Sequence, residues 1–287
     1  MKVYLNGRII EEEEAFIPAC DRGVLFGDGL FETMRAYGGK PFRLERHLER
    51  LRQGCRELRF RHWPAGGEIE EAIGDLYVMN VGEGDAYIRI TLTGGPFDGK
   101  RTLQRCAAPN TLIVVKPLEP YPAAYYEKGM RLTVSGIRRN EASFLSRIKS
   151  NNYLASLAAK QEAADRGADD AVMLNVAGFL AEGTSSNIFL VRRGRAATPG
   201  EECGLLPGIT REAVLELCGR LGIPHETGRY TLDDLRGADE AFLTMSTGEI
   251  VPIAEVEEKA IGLTCPGPAT SRLAAAFHEL VRKELGL

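Results

Sequence analysis

Residues 146–153 read Ser-Arg-Ile-Lys-Ser-Asn-Asn-Tyr, and they lead into the sequence LASLAAKQEA, part of a helix that we predict over residues 151–166. Lys149 therefore stands directly before a segment with few long charged side chains. A lysine in a dry environment has a lowered pKa, and its amine can attack a carbonyl carbon to form a Schiff base. Taken alone, Lys149 is more simply explained as a solvent-exposed lysine before a helix. Other segments of the chain are needed to choose between this explanation and a Schiff-base lysine.

Three later segments carry groups of the kind that can bind a phosphorylated aldehyde. In 181–189, AEGTSSNIF, a buried Glu182 beside a pyridine nitrogen would keep the ring protonated, the alternative being a surface glutamate at a turn. The segment 206–213, LPGITREA, leads into a helix predicted over 210–221, whose free N–H groups can bind phosphate. The alternative there is an ordinary threonine N-cap. In 244–250, TMSTGEI, hydroxyl groups follow a predicted strand and can complete a phosphate site.

The composition indicates an ordinary globular protein. The chain has 287 residues, 44% apolar and 26% charged, and about 150 residues per domain gives two domains. A net charge of −4 argues against a nucleic-acid binder, which usually has a strongly basic domain, and against an anionic membrane surface. No apolar run approaches the roughly 18 residues of a membrane helix, and the acidic N-terminal segment lacks a signal-peptide core. We therefore expect a cytoplasmic protein.

Motifs for metal and nucleotide chemistry are missing from the sequence. It contains no H-E-x-x-H, no G-x-S-x-G and no P-loop, and Gly27-Asp28-Gly29 lacks the third glycine of a dinucleotide fingerprint. Without C-x-x-C spacing we expect no structural zinc and reduced thiols. The histidines have no metal-ligand spacing, and for His47, on a predicted amphipathic helix, a supporting role stays open. The scattered cysteines are Cys20, Cys55, Cys106, Cys203, Cys218 and Cys265.

The pattern of apolar residues predicts two α/β regions joined by a proline-rich linker. In the first region we predict a hairpin turning at Asn6-Gly7, helices over 42–60 and 68–80, and strands over 86–93 and 111–116. In the second we predict strands over 131–135, 171–174 and 188–191 and helices over 151–166, 210–221 and 268–285. Three prolines within 117–122 mark the linker. The predicted division is a small N-terminal domain over 1–117, a linker over 118–127 and a larger domain over 128–287.

Together and in this order, these segments resemble the fold-type IV pyridoxal-phosphate enzymes, the class IV aminotransferase family. That family includes branched-chain aminotransferases, D-amino-acid aminotransferases and 4-amino-4-deoxychorismate lyases. The resemblance runs from Asp21-Arg22-Gly23 to Ile250-Val251-Pro252. It implies an α/β (α+β) fold with a small N-terminal domain and a larger C-terminal domain that binds pyridoxal 5'-phosphate. It also implies a homodimer, with amino acids and 2-oxo acids as the small-molecule partners.

The resemblance assigns roles to individual residues. Lys149 is implied to be the Schiff-base lysine, which then moves the proton between the substrate and the cofactor. Glu182 is implied to be the partner of the pyridine nitrogen, and Tyr153 lies where branched-chain enzymes keep a tyrosine on the cofactor's phenolic oxygen. The residues implied to bind the cofactor phosphate are Arg50, the backbone of Ile209 and Thr210, and the hydroxyls of Ser246 and Thr247.

The substrate side is predicted on strand 86–93, where period-2 alternation puts Tyr87, Arg89 and Thr91 on one face. The planar guanidinium of an arginine on such a face suits a substrate carboxylate, the alternative being an edge-strand arginine in solvent. The Tyr87-x-Arg89 pair resembles branched-chain aminotransferases. So does the stretch 31–35, FETMR, which places Phe31 and Arg35 in the substrate pocket.

Thr33 keeps a second function open. Branched-chain enzymes typically have glycine at its position, whereas the chorismate-type lyases have a threonine thought to assist proton transfer. The stretches 137–140 and 149–150 also resemble some lyases, while 246–250 and Tyr87 resemble the aminotransferases. The favoured interpretation is therefore an aminotransferase acting between a branched-chain type of amino acid and a 2-oxo acid. The alternatives are an aminodeoxychorismate lyase that releases pyruvate and 4-aminobenzoate for folate synthesis, and an inactive binding homologue.

Overall fold

The structure, a computed structural model, describes residues 1–103 and 109–287. Cys106, one of the cysteines predicted to be unclustered, lies outside the described residues. The chain divides into two compact units. The first unit comprises Met1–Glu119 and Ile148–Asn152, and the second comprises Pro120–Arg147 and Tyr153–Leu287. The first unit therefore includes Lys149, although the predicted division assigned that lysine to the C-terminal domain. The division into 1–117, 118–127 and 128–287 stays a prediction.

Within the described residues, the first unit is an antiparallel sheet of six strands in the order β2-β1-β6-β5-β3-β4. Its strands are β1 (Lys2–Leu5), β2 (Arg8–Glu11), β3 (Gly29–Tyr37), β4 (Lys40–Pro41), β5 (Ala86–Thr93) and β6 (Thr111–Pro117). Its helices are α1 (Arg22–Phe26), α2 (Leu44–Glu57) and α3 (Gly66–Asn80). The β1–β2 turn is the predicted hairpin, with positive φ angles of 50° at Asn6 and 86° at Gly7.

One face of this sheet is buried and the other is half-open. Along β5, buried and half-exposed residues alternate, so that Ile88, Ile90 and Leu92 lie in the core as predicted. The apolar stripe of α2 is likewise confirmed, because its residues are buried. These residues are Leu44, Leu48, Leu51 and Cys55, with Leu58 just after the helix. The predicted substrate strand therefore presents its other face, with Tyr87 and Arg89, outward from the core.

The second unit is a mixed sheet of nine strands within the described residues, in the order β12-β11-β10-β13-β14-β7-β8-β9, with β15 paired to β14. Its strands are β7 (Met130–Val134), β8 (Asp170–Leu174), β9 (Leu180–Gly183), β10 (Asn187–Arg192), β11 (Arg195–Pro199), β12 (His225–Gly228), β13 (Glu240–Met245), β14 (Glu249–Val256) and β15 (Lys259–Ala260). Its helices are α4 (Ala123–Glu127), α5 (Leu154–Asp165), α6 (Ile209–Arg220), α7 (Leu232–Arg236) and α8 (Pro268–Leu285).

Most predicted elements are confirmed, and three differences matter for the site. Strand β3 was not predicted, although it carries Phe31 and Thr33. Helix α5 begins at Leu154 rather than at residue 151, so the stretch after Lys149 is irregular. A short helix, α4, lies inside the predicted linker. None of the helices in 1–103 and 109–287 is long and apolar enough to cross a membrane.

Candidate active site

The segment around Lys149 runs beside the start of β3 in the first unit. The Phe31 N–H donates to the Lys149 carbonyl at 2.9 Å, and the Asn151 N–H donates to the Gly29 carbonyl at 2.9 Å. Glycine is required at position 29, because a Cβ there would overlap the Asn151 side chain and come within 2.5 Å of the Leu92 carbonyl oxygen. The Lys149 amine lies 4.5 Å from the centroid of the Phe31 ring. Backbone pairing therefore fixes the lysine against an aromatic side chain.

The predicted substrate residues share one face of β3 and β5. The register pairs Phe31 with Thr91 and Thr33 with Arg89, so these side chains lie on the same side of the sheet. The Arg89 guanidinium lies 3.9 Å from the Phe31 ring centroid, and its Nε donates to Thr91 Oγ1 at 3.2 Å. This face thus carries an oriented cation beside an aromatic ring. Such a pair suits a substrate that has both a carboxylate and an apolar side chain.

Arg35 lies on this face too, opposite Tyr87, but its guanidinium is bound to Asp85. Nε and Nη2 donate to Asp85 Oδ2 at 2.9 and 2.6 Å, and the group stacks on Tyr37 at 4.4 Å. Its predicted role as a second pocket arginine stays a prediction. The structure shows it as part of an ion pair at the end of β3.

Arg50 comes from α2, which packs against β3, and it reaches the buried Glu32. Its Nε and Nη2 donate to Glu32 Oε1 and Oε2 at 2.8 and 2.7 Å, and His47 Nδ1 lies 2.7 Å from Glu32 Oε2. Burial opposes ionisation of Glu32, but Arg50, with help from His47, outweighs it and lowers the pKa of Glu32 to about 2. Burial lowers the pKa of His47, against the opposing effect of Glu32.

Sequence reasoning missed Glu32. A signal was present, because alternation along β3 puts Leu30, Glu32 and Met34 on one buried face. A charged residue on a core face requires a charged partner, and α2 provides one from the adjacent layer.

In the second unit, Arg139 and the Leu206 backbone hold the Glu182 carboxylate. Arg139 Nη2 lies 2.9 Å from Glu182 Oε1, and the Leu206 N–H donates to Oε2 at 3.0 Å. Glu182 is 9% exposed on β9, and a buried carboxylate of this kind stays charged only with such partners. Sequence reasoning gave Arg139 no role at this carboxylate. No motif predicts the pairing, because the two residues lie on different elements far apart in the chain.

Tyr153 lies just before α5 and donates its Oη hydrogen to the Thr184 carbonyl oxygen at 3.2 Å. Burial raises the pKa of Tyr153 to about 12, and the nearby Glu182 charge contributes in the same direction. The phenol is therefore neutral at physiological pH and acts as a hydrogen-bond donor.

The start of α6 offers free backbone N–H groups. Its N-cap is Gly208, and in the part of the chain that the structure describes no side chain caps the helix, so the first N–H groups, at Ile209 and Thr210, are available to an anion. A Cβ at position 208 would overlap Asn187 Oδ1, so only glycine fits. Asn187 itself donates to the Leu206 carbonyl at 2.9 Å, which fixes the segment leading into the helix.

The hydroxyl groups predicted to complete this site follow β13. Ser246 and Thr247 are half-buried in the turn between β13 and β14, and Thr247 hydrogen-bonds Tyr121. Thr244 pairs with Asn187 across β10 and β13. Among the described residues, two buried hydroxyl oxygens, Thr244 Oγ1 and Ser186 Oγ, have no hydrogen-bond partner. Unpaired buried polar atoms are costly, and they indicate a region built for a polar ligand.

The fold is that of the class IV aminotransferases. The chain matches the family model "Amino-transferase class IV" over residues 29–256, and it belongs to that family. A Methanocaldococcus jannaschii protein, named as a candidate branched-chain-amino-acid aminotransferase, is 36% identical over 286 residues, which cover 99% of this chain and 97% of that protein. The aminodeoxychorismate lyase of Bacillus subtilis is 35% identical over 98% of this chain and 94% of its own length.

A solved structure gives the same result for the fold. The branched-chain aminotransferase of Thermoproteus uzoniensis, crystallised with norvaline, superimposes with a TM-score of 0.91 at 34% identity, covering 99% of this chain and 95% of that one. The family and the fold class predicted from the sequence are confirmed.

Proposed function

We propose that the protein is a pyridoxal 5'-phosphate-dependent aminotransferase that moves an amino group between an amino acid of the branched-chain type and a 2-oxo acid. The observation that carries the proposal is the Lys149 amine, held by backbone pairing over the Phe31 ring on the strand that also carries the predicted substrate residues. The Thermoproteus uzoniensis enzyme and the Methanocaldococcus jannaschii relative support the branched-chain assignment.

The side chains of the two units fit the cofactor's polar groups in kind. In the first unit, Lys149 offers an amine for the aldehyde and Arg50 offers a guanidinium for the phosphate. In the second, Glu182 offers a carboxylate for the ring nitrogen and Tyr153 a neutral phenol for the ring oxygen. The uncapped start of α6 and the unpartnered hydroxyls of the second unit are donors that suit a phosphate.

Each residue then has a defined task in the reaction. When bound, the cofactor supplies an aldehyde and an electron-withdrawing ring that stabilises the charge developing at the substrate Cα. Lys149 Nζ moves the proton from that carbon. Glu182, paired with Arg139, holds a proton at the ring nitrogen. Arg89 binds the substrate carboxylate, and Phe31 provides apolar contact for the side chain.

The test replaces the lysine and compares it with a surface lysine. Lys149→Ala is expected to lose turnover and the visible absorbance band of the bound cofactor, whereas Lys283→Ala, on the exposed end of α8, keeps both. The spectrum of the wild-type protein is then recorded with L-leucine, D-alanine and L-glutamate in separate cuvettes. Conversion of the band by L-leucine supports the proposal. Turnover by Lys149→Ala would contradict the site assignment.

Thr33 favours one second candidate, the aminodeoxychorismate lyase. The Bacillus subtilis lyase is as similar to this chain as the aminotransferases are. Thr33 lies opposite Arg89 on the half-open face, where its hydroxyl can assist proton transfer to a substrate. If the protein is the lyase, amino acids leave the spectrum unchanged, aminodeoxychorismate releases pyruvate, and Thr33→Ala strongly lowers that rate. If it is the aminotransferase, Thr33→Ala retains most of the transamination rate.

The proposal includes a cytoplasmic homodimer, as the resemblance and the sequence composition imply. Sedimentation equilibrium measures the mass directly, and a mass twice the 31.4 kDa of the chain supports the dimer. A monomer that retains full transaminase activity would remove that part of the proposal and leave the reaction intact.

A further inference from the structure

Glu32 is a fully buried carboxylate that the proposed reaction does not use. It is 0% exposed, and it lies on the core face of β3 between Leu30 and Met34. A charged group in such a position is tolerated only when its partners neutralise it. Here both partners come from one turn of α2: His47 and Arg50 are three residues apart and therefore lie on the same face of the helix.

The contacts to Glu32 use both carboxylate oxygens. Arg50 binds them in a two-pronged arrangement through Nε and Nη2, at 2.8 and 2.7 Å, and His47 Nδ1 lies 2.7 Å from Oε2. Two parallel bonds fix the plane of a guanidinium as well as its position. Because burial favours the neutral imidazole, His47 donates its Nδ1 hydrogen to the carboxylate. Glu32 and His47 are buried, and the Arg50 side chain is 12% exposed.

We propose that Glu32 is the positioning residue for Arg50: it holds the guanidinium in the orientation that binds the cofactor phosphate, and His47 supports the carboxylate. This inference rests on the proposed function. Glu32 also reduces the positive charge at Arg50, which on its own would weaken phosphate binding. The orientation of Arg50 has a larger effect on phosphate binding than this reduction in charge. An arginine without a fixed partner loses side-chain conformational entropy when it binds a ligand, and Glu32 removes most of that cost.

The test separates the phosphate from the rest of the cofactor. Apoenzyme of the wild type and of Glu32→Gln is titrated with pyridoxal phosphate, with pyridoxal and with inorganic phosphate. We expect Glu32→Gln to lose about tenfold in affinity for pyridoxal phosphate and for inorganic phosphate, the lower end of the loss seen when the partners that orient metal ligands are removed. Its affinity for pyridoxal stays within about twofold, and its kcat at saturating cofactor changes little.

A matched control uses a second buried ion pair that the structure describes in the first unit. Asp28 is 8% exposed, and Arg22 Nε lies 2.7 Å from its Oδ2. Asp28→Asn breaks a buried pair in the same unit by the same chemical change, so it lowers stability without changing the ratio of the two cofactor affinities. This comparison removes a general loss of stability as the cause of any effect seen in Glu32→Gln.

The double variant Glu32→Gln with Arg50→Met keeps the inference testable if the single variant does not fold, because it leaves no buried charge unpaired. We expect it to bind inorganic phosphate more weakly than the wild type and as weakly as Arg50→Met, within about twofold, because Glu32 acts only through Arg50. The inference is overturned if Glu32→Gln binds phosphate as tightly as the wild type, or if its affinities for pyridoxal and pyridoxal phosphate fall by the same factor. It is also overturned if the double variant keeps the phosphate affinity of the wild type. A wild type that never binds pyridoxal phosphate would instead contradict the proposed function.

Discussion

Gly29→Ala tests whether close packing at the start of β3 is what positions Lys149. The added Cβ would overlap the Asn151 side chain and come within 2.5 Å of the Leu92 carbonyl oxygen. Leu92 is part of the continuous pairing of β3 with β5, which runs from Gly29–Thr93 to Ala36–Ala86 and resists displacement. Two backbone hydrogen bonds join the segment 149–151 to β3, and we expect this segment to be the side that moves.

The cost follows from those contacts. Inserting a methyl group into a packed site costs about 1–3 kcal/mol. Losing the two backbone hydrogen bonds, from Phe31 N–H to Lys149 and from Asn151 N–H to Gly29, costs about 1 kcal/mol each. Breaking the hydrogen bonds lets the segment move away and relieves part of the overlap, so the two costs do not add fully. We therefore expect the free energy of unfolding to fall by about 2–4 kcal/mol. The displaced Lys149 amine also leaves its position over the Phe31 ring.

Two measurements follow the two effects. Urea unfolding of the apoenzyme gives the change in stability, and borohydride reduction followed by mass spectrometry gives the fraction of Lys149 bonded to cofactor. Gly74→Ala is the control: position 74 lies inside α3, where an added Cβ would have no atom within 4 Å, so alanine stabilises the helix by up to about 1 kcal/mol. If Gly29→Ala is as stable as the wild type and traps cofactor to the same extent, packing at β3 does not position the lysine.

Three further predictions concern the buried ion pairs. Arg139→Met removes the charged partner of Glu182 and is expected to lower kcat at least about tenfold with little change in phosphate affinity, measured by steady-state kinetics and phosphate titration. The Glu32 pKa is about 2 in the folded chain against 4.5 unfolded, so its stabilisation, about 3 kcal/mol, is complete above about pH 5 and is lost as the pH falls toward 2. Urea unfolding across that pH range is expected to show this decrease in the free energy of unfolding for the wild type and a smaller decrease for Glu32→Gln. Arg22→Lys loses the bonds of both terminal NH₂ groups to carbonyls of 100–102, at 2.8 Å each, and trypsin is expected to cut this segment faster.

Much of the first unit could be predicted from the sequence, but β3 could not. Strand β5 alternates apolar and polar residues along its full length, so its bounds and its two faces were predictable. Strand β3 places the charged Glu32 on its core face and the aromatic Phe31 on its half-open face. These two residues remove the period-2 signal, and the proposed site uses both of them.

Within the proposed site, the residues to which we assign chemical roles stand in recognisable motifs, whereas the residues that hold them do not. Lys149 and Glu182 stand in local motifs, whereas the partners of Glu182 and Arg50 come from other elements and only the fold brings them into contact. The ion pair of Arg35 was unpredictable for the same reason, because its partner comes from another part of the chain. Its position on the substrate face was predictable, but its ion pair with Asp85 depends on the residue just before β5.

The two buried arginine–glutamate pairs use one arrangement for opposite purposes. In the first unit, the carboxylate of Glu32 is the support and the guanidinium of Arg50 is the proposed ligand for phosphate. In the second unit, Arg139 is the support and the carboxylate of Glu182 is the proposed ligand for the ring nitrogen. Each support fixes a charge that would otherwise be costly to bury. Removing Glu32 should therefore affect the binding of the phosphate, and removing Arg139 should affect the chemistry at the ring, so the two variants separate binding from catalysis.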